Sequence, residues 1–153
     1  MRESKPERFK RKVVLAMREI LFRGKRMDCG CWEFGYYSEY HRSNGEIHCF
    51  INGFEYQVDP ATIGQYTGLT DKNGKKIFEG DIIEVVLPER ESIRRFVWPL
   101  MKVIFQDGAF RIIDESGDTL TTISGFAPSV TFEVKGNVHD NPELLKGGDP
   151  DGI

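Results

Sequence analysis

The stretch that decides the fold is residues 60–86, PATIGQYTGLTDKNGKKIFEGDIIEVV. Its strongest β-forming run is residues 82–87, because β-branched Ile and Val pack well on a pleated surface. Two turns precede that run: Asn73-Gly74 tolerates left-handed backbone, and Glu79-Gly80-Asp81 redirects the chain. The glycines that flank residues 65–67 predict a compact loop there. Together these features predict that residues 77–78 and 82–87 pack in a β-rich core.

Short strands separated by turns also fill the rest of the chain. Residues 31–40 are rich in aromatic side chains, and among them Trp32, Phe34 and Tyr36 alternate with period two, which is typical of a half-buried strand. Further strands are predicted over residues 46–51, 54–58, 101–105, 109–114, 119–123 and 131–138. The pattern predicts a mainly β fold. A long loop and a hairpin follow residues 82–87, which favours a small SH3-like barrel with additional β-hairpins and few short helices.

Helical signals stand at the two ends of the chain. Ser4 and Glu7 form a capping-box pattern ahead of apolar residues at helical spacing, so residues 1–16 are predicted to form a basic amphipathic helix or a disordered extension. Asn141-Pro142 places an N-cap residue and a first-turn proline at the start of a short terminal helix. The tail, residues 147–153, is expected to fray.

Composition indicates one globular domain. The 153 residues are 39% hydrophobic and 29% charged, and no apolar run approaches the ~18 residues of a membrane span. Three cysteines without a framework of spacings favour free thiols and a reducing compartment, so we predict a cytoplasmic protein.

Charge is unevenly distributed along the chain. Residues 1–26 carry ten Lys/Arg and three Glu, for a net charge of +7, and the other 11 basic and 21 acidic residues give −10. Cations and aromatic residues interleave in one later segment, as they do in stacking platforms for nucleic acid: Arg90, Arg94, Arg95, Phe96 and Trp98. Nucleic-acid binding by this segment and the basic N-terminal arm is therefore an alternative function, although an acidic body disfavours phosphate contacts.

The one metal-like grouping is Cys29 and Cys31 with His48 and Cys49. Zinc sites usually take their cysteines from C-x(2–4)-C loops, and adjacent residues such as His48 and Cys49 point apart on a strand. We therefore predict no metal ligands and no cofactor.

No catalytic set emerges from the titratable residues. His41, His48 and His139 stand in no recognisable nucleophile motif. Glu79 and Asp81 are the nearest approach to an acid/base pair, but turn carboxylates more often bind nearby backbone N–H groups. We predict no catalytic residues.

Three pieces of the sequence resemble the YopX family of phage and prophage proteins. The central piece runs through GQYTGL, DKNGK and IFEGDI of residues 64–82, and the outer pieces are residues 18–25 and 136–145. The resemblance covers residues 17–146 and implies a β-rich, barrel-containing fold without a known activity. Family members usually begin near the position of Met17, so residues 1–16 are expected to be an extension or to lie upstream of the true start.

The expected function is that of a non-enzymatic phage or prophage accessory protein in the cytoplasm of a bacterial host. A surplus of strands and aromatic residues for one small core favours self-association or binding to another phage or host protein. No small-molecule substrate and no membrane association are predicted.

Overall fold

The computed structural model describes residues 18–88, 98–126 and 128–146, with only the backbone of residues 119 and 120. The described chain forms twelve strands: β1 (Phe22–Lys25), β2 (Trp32–Gly35), β3 (Tyr37–His41), β4 (Ile47–Ile51), β5 (Tyr56–Val58), β6 (Gly64–Thr70), β7 (Lys76–Phe78), β8 (Asp81–Val86), β9 (Met101–Gln106), β10 (Ala109–Ile113), β11 (Thr119–Thr122) and β12 (Thr131–Asn137). Three short 3₁₀ helices accompany them: Pro60–Thr62, Ile123–Gly125 and Pro142–Leu144. The predicted extension over residues 1–16 and the tail over residues 147–153 lie outside the described residues.

The strands form three antiparallel sheets, which confirms the mainly β prediction. Their orders are β2-β1-β6-β7, β11-β10-β9-β8-β12 and β3-β4-β5. The predicted SH3-like barrel is not what this topology shows, since the described sheets are open. β12 pairs with β8 along most of its length and so ends the five-stranded sheet, while β11 ends it on the other side. Within the described chain these two edge strands do not pair with each other.

Two apolar clusters hold the sheets together. The larger one is formed by the five-stranded sheet, β7 and the 3₁₀ helix Ile123–Gly125, and consists of Ile77, Ile83, Val85, Met101, Val103, Ile112, Ile123 and Phe132. The smaller one contains Cys49, Ile51 and Val58 on one face of the β3–β5 sheet, packed against Phe22 and Ile63. Because side chains alternate along a strand, the other face of that sheet points away from this core.

The predicted turns are present where the backbone requires them. Asp107 and Gly108 both have positive φ, 52° and 77°, at the tip of the β9–β10 hairpin. The terminal helix is shorter than an α-helix, and Asn141 makes no side-chain capping bond. Its Oδ1 instead accepts from the Asn137 backbone N–H at 3.3 Å, which closes the turn after β12.

Two predicted elements differ from the structure. The loop predicted over residues 64–68 is part of strand β6, whose pairing with β7 is irregular between Tyr66 and Thr70. Gly68 lies in that irregularity with φ +88°, so it permits a bulge and does not end the strand. The strand predicted from the alternation of Trp32, Phe34 and Tyr36 ends at Gly35, and Tyr36 lies between β2 and β3, which belong to different sheets.

Candidate functional site

The most buried charges of the described chain are Arg23 on β1 and Asp81 at the start of β8. Arg23 Nη2 lies 2.8 Å from Asp81 Oδ1, and the two residues are 6% and 1% exposed. The other carboxylate oxygen, Oδ2, accepts from the Phe78 backbone N–H at 2.7 Å. Burial raises the pKa of Asp81, while Arg23 and the Phe78 N–H act in the opposite direction. The pair joins the four-stranded sheet to the five-stranded one.

Two aromatic rings enclose the Arg23 guanidinium. Its Cζ lies 4.7 Å from the Trp32 ring centre and 5.0 Å from that of Phe78. The Nε atom of Arg23 is buried and has no hydrogen-bond partner among the described residues. Attraction between the cation and the two ring faces offsets part of that missing hydrogen bond.

The turn after β12 completes the surroundings of Arg23. Asp140 accepts from Trp32 Nε1 at 2.8 Å, from Asn137 Nδ2 at 3.0 Å and from the Lys25 ammonium. The bonds from Lys25, Trp32 and Asn137, in that order, hold the pKa of Asp140 far below its usual range. Asp140 therefore accepts three hydrogen bonds, and the one from Trp32 fixes the orientation of that ring.

His139 lies in the same turn, and its Nε2 would lie 3.7 Å from a Cβ placed on Gly80, the residue before Asp81. Its ring centre is 5.8 Å from that of Trp32. Burial lowers the pKa of His139, and the positive charges of Arg23 and Lys25 lower it further. The three sequence pieces that carry the family resemblance thus meet around Arg23.

The predicted acid/base candidates lie in structural roles. Asp81 is committed to Arg23 and a backbone N–H, and the Glu79 carboxylate accepts from the Gln65 N–H at 3.5 Å. His41 and His48 lie on the β3–β5 sheet, where His41 contacts Glu39 at 2.8 Å. The structure brings neither of these two histidines to the Glu79–Asp81 turn.

The cysteines differ from the free thiols expected from the sequence. Cys29 and Cys31 form a disulfide in the exposed β1–β2 turn, with a Cα–Cα distance of 5.2 Å. Cys49 is free and buried, and its Sγ lies 3.3 Å from Tyr37 Oη. A spacing of one residue does bring two thiols together when Gly30 takes φ +68° in the turn between them. Over the described ranges, no group of three or more His, Cys, Asp or Glu is placed to hold a metal ion.

Most of the predicted nucleic-acid segment, Arg90, Arg94, Arg95 and Phe96, lies outside the described residues. Trp98 is described and partly buried, and it packs on the larger core with its ring centre 6.2 Å from that of Phe126. A ring held against the core presents less surface for base stacking than the sequence pattern suggests.

The outward face of the β3–β5 sheet carries a second candidate surface. We call Tyr40, Phe50 and Phe54 the outer aromatic face. Their rings meet edge to face, with centres 6.4 Å apart for Tyr40 and Phe54 and 5.3 Å apart for Phe50 and Phe54. Tyr40 is 53% exposed and Phe54 66%, so this apolar surface faces solvent.

Sequence reasoning did not single out Arg23 or Trp32 as a pair. The available signal was weak: one arginine in the apolar run that begins at Ile20, followed by a glycine. Nothing in that pattern says which carboxylate the arginine meets.

Among the described residues there is no helix long and apolar enough to cross a membrane.

Comparison with known proteins agrees with the three resembling pieces. The family model described as YopX protein matches residues 22–146. The SPbeta prophage-derived uncharacterized protein YopX of Bacillus subtilis (strain 168) is 34% identical over 76 residues, which are 48% of this chain and 53% of that protein. The chain thus matches about half the length of this curated relative.

One solved structure shows the same fold. The crystal structure of Bacillus subtilis yopX has a TM-score of 0.50 at 21% identity and covers 84% of this chain and 99% of that one. Protein EF1440 from Enterococcus faecalis has a TM-score of 0.46 at 22% identity, with the same two coverages. The family match spans most of the chain and includes the β1, β8 and β12 segments that meet around Arg23. The chain therefore belongs to the YopX family.

Proposed function

We propose that this YopX-family chain is a non-enzymatic accessory protein that self-associates through its outer aromatic face. The observation that carries the proposal is the exposure of Tyr40 and Phe54 on a sheet whose opposite face is already packed on a core. Aromatic residues are enriched at protein interfaces, where they bury large areas at low entropic cost.

The size of the face suits the centre of an interface. A standard interface covers about 800 Å² of each partner, and one aromatic side chain contributes on the order of 150–250 Å². Three neighbouring rings can form the apolar centre, with polar residues around them as the rim. His48 and Gln57 lie beside the rings and bond to each other at 2.8 Å.

Charge around the face favours a second copy of the chain as the partner. Arg42 and Glu46 flank the rings at the β3–β4 turn, 3.7 Å apart and each more than half exposed. A surface with both signs at its rim can meet its own copy, because a two-fold axis that passes beside the β3–β4 turn would bring each Arg42 close to the other Glu46. This proposal leaves the Glu79–Asp81 turn in a structural role, in keeping with the bonds that Asp81 makes to Arg23 and Phe78.

The test is the mass of the particle in solution, measured by sedimentation or light scattering from about 1 to 100 µM. We expect an oligomer for the wild type and a shift toward monomer for Phe54→Ser combined with Tyr40→Ser. Phe105→Ser is the matched control, because Phe105 is 53% exposed but lies on β9, in another sheet. A monomeric wild type over the whole range, or an equal shift in the control, would overturn the proposal.

A further inference from the structure

An open cavity of about 570 Å³ adjoins the buried pair of Arg23 and Asp81. It lies between strands β1, β2 and β7 and the turn after β12, away from the outer aromatic face. Small-molecule sites commonly have volumes of roughly 300–1,000 Å³ and combine apolar walls with a few fixed polar groups. The cavity has both of these features.

Aromatic rings form its apolar walls. Trp32, Phe34 and Phe78 all line it, and the Phe34 and Phe78 ring centres are 5.5 Å apart. Phe34 remains 49% exposed, whereas Phe78 is 3% exposed. The Trp32 ring is fixed by its bond to Asp140 and by Arg23 beneath it. Rings held in this way suit a flat ligand, because little further ordering is needed on binding.

The charged groups of the cavity leave a positive excess. The Asp140 carboxylate already accepts three hydrogen bonds, Arg23 is paired with Asp81, and Lys76 contacts Glu19 at 2.8 Å. Lys75 also lines the cavity, and its charge is attracted to the carboxylates of Asp71 and Asp81. Those carboxylates take their hydrogen bonds from backbone N–H groups and from Arg23, not from the Lys75 ammonium. An anionic group near the Lys75 ammonium can therefore pair with it without breaking a hydrogen bond that the ammonium makes to another described residue.

From these walls and this charge we infer that the cavity binds a small ligand in which a planar ring carries one anionic group. The ring stacks among Trp32, Phe34 and Phe78, and the anion lies near Lys75. Aromatic carboxylates and nucleoside monophosphates share this chemistry.

Two fluorescent probes with the same ring system test the charge requirement. Anilinonaphthalene sulfonate is anionic and N-phenyl-1-naphthylamine is neutral, and we expect the anionic probe to bind more tightly. Lys75→Gln should raise the dissociation constant of the anionic probe by up to about fivefold, the scale of one exposed ion pair, and leave that of the neutral probe unchanged. Lys146→Gln removes an exposed charge that does not line the cavity and should change neither.

Two further variants locate the probes. Phe34→Ser should weaken the binding of both probes, whereas Phe54→Ser on the outer aromatic face should weaken the binding of neither. The result is therefore independent of the self-association proposal. Equal binding of the two probes, or loss of the anionic probe on Phe54→Ser and not on Lys75→Gln, would overturn the inference.

Competition then distinguishes the two ligand types. Displacement of the sulfonate probe by adenosine 5′-monophosphate and not by benzoate indicates a nucleotide ligand, and displacement by benzoate indicates an aromatic acid. Displacement by neither at millimolar concentration counts against the inference.

Discussion

Arg23 of β1 and Asp81 of β8 form a salt bridge of 2.8 Å in which both side chains are more than nine-tenths buried. The bridge connects two sheets that share no other charge pair of comparable burial among the described residues. Its geometry is enforced from several sides: Trp32 and Phe78 enclose the guanidinium, and the Phe78 N–H holds the carboxylate. A pair constrained in this way has consequences for stability that an exposed pair does not have.

Removing one partner of the bridge should be strongly destabilising. Asp81→Asn is expected to lower the free energy of unfolding by about 3–5 kcal/mol, because it leaves the Arg23 charge buried without its counter-charge. Urea denaturation followed by tryptophan fluorescence measures the change. Arg42→Gln breaks the exposed pair with Glu46 and should change the free energy of unfolding by no more than about 0.5 kcal/mol.

The double variant separates coupling from two independent defects. Arg23→Met combined with Asp81→Asn should cost less than the sum of the single variants, since neither side chain is then left as an unpaired buried charge. Strictly additive losses would contradict a direct interaction between the two groups.

The Asp71 carboxylate accepts backbone hydrogen bonds in the turn of residues 71–75, and its protonation makes the stability of the fold depend on pH in the acid range. Burial raises the pKa of its carboxyl, but bonds from the backbone N–H groups of Val134, Lys75 and Asn73 outweigh burial and lower the pKa overall. A carboxyl whose pKa is lower in the folded state contributes stability above its unfolded pKa, near 4, and loses it as the pH falls further.

The variant Asp71→Asn exposes this dependence. The amide nitrogen cannot accept from the Val134 N–H, so we expect a loss of about 1–3 kcal/mol at pH 6. The difference from wild type should shrink as the pH falls below about 4, because the Asp71 carboxylate of the unfolded wild-type chain takes up a proton there and that of the folded chain does so only at lower pH. Urea titrations from pH 7 to pH 3 measure both effects, and Asp107→Asn in the exposed β9–β10 turn should match wild type throughout.

Local signals in the sequence predicted most turns and strands but not how the sheets meet. Asp107-Gly108 and residues 82–87 follow backbone preferences that short-range sterics decide, so these elements were predictable. The Arg23–Asp81 bridge depends on two segments far apart in the chain, and no periodicity encodes that meeting. Gly64 shows the same limit: it predicts a loop by composition, whereas in the structure it lies in β6 and leaves room for the carbonyl of Glu79 in the turn between β7 and β8.

Gly64→Ala should destabilise the fold although alanine suits a strand better than glycine in general. A Cβ at this position would lie 2.4 Å from the Glu79 carbonyl oxygen, which is a backbone atom with little freedom to move. We expect a loss of about 1–3 kcal/mol from the enforced backbone shift, measured by thermal or urea unfolding. Leu69→Ala, at an exposed position of the same strand, should cost less, and the reverse order would show that the contact is easily relieved.

The three cysteines should separate into two chemical classes when their thiols are alkylated. Cys29 and Cys31 share a disulfide in an exposed turn, so iodoacetamide should not label them in native protein purified without reductant. Mild reduction should add two labels, because an exposed disulfide is accessible to small thiols. Cys49 is 5% exposed and should react only after unfolding in urea.

Mass spectrometry counts the labels, and Cys29→Ser should free Cys31 for one label in the native, unreduced protein. Labelling of Cys29 and Cys31 before reduction would show that the turn holds two thiols and no bond between them.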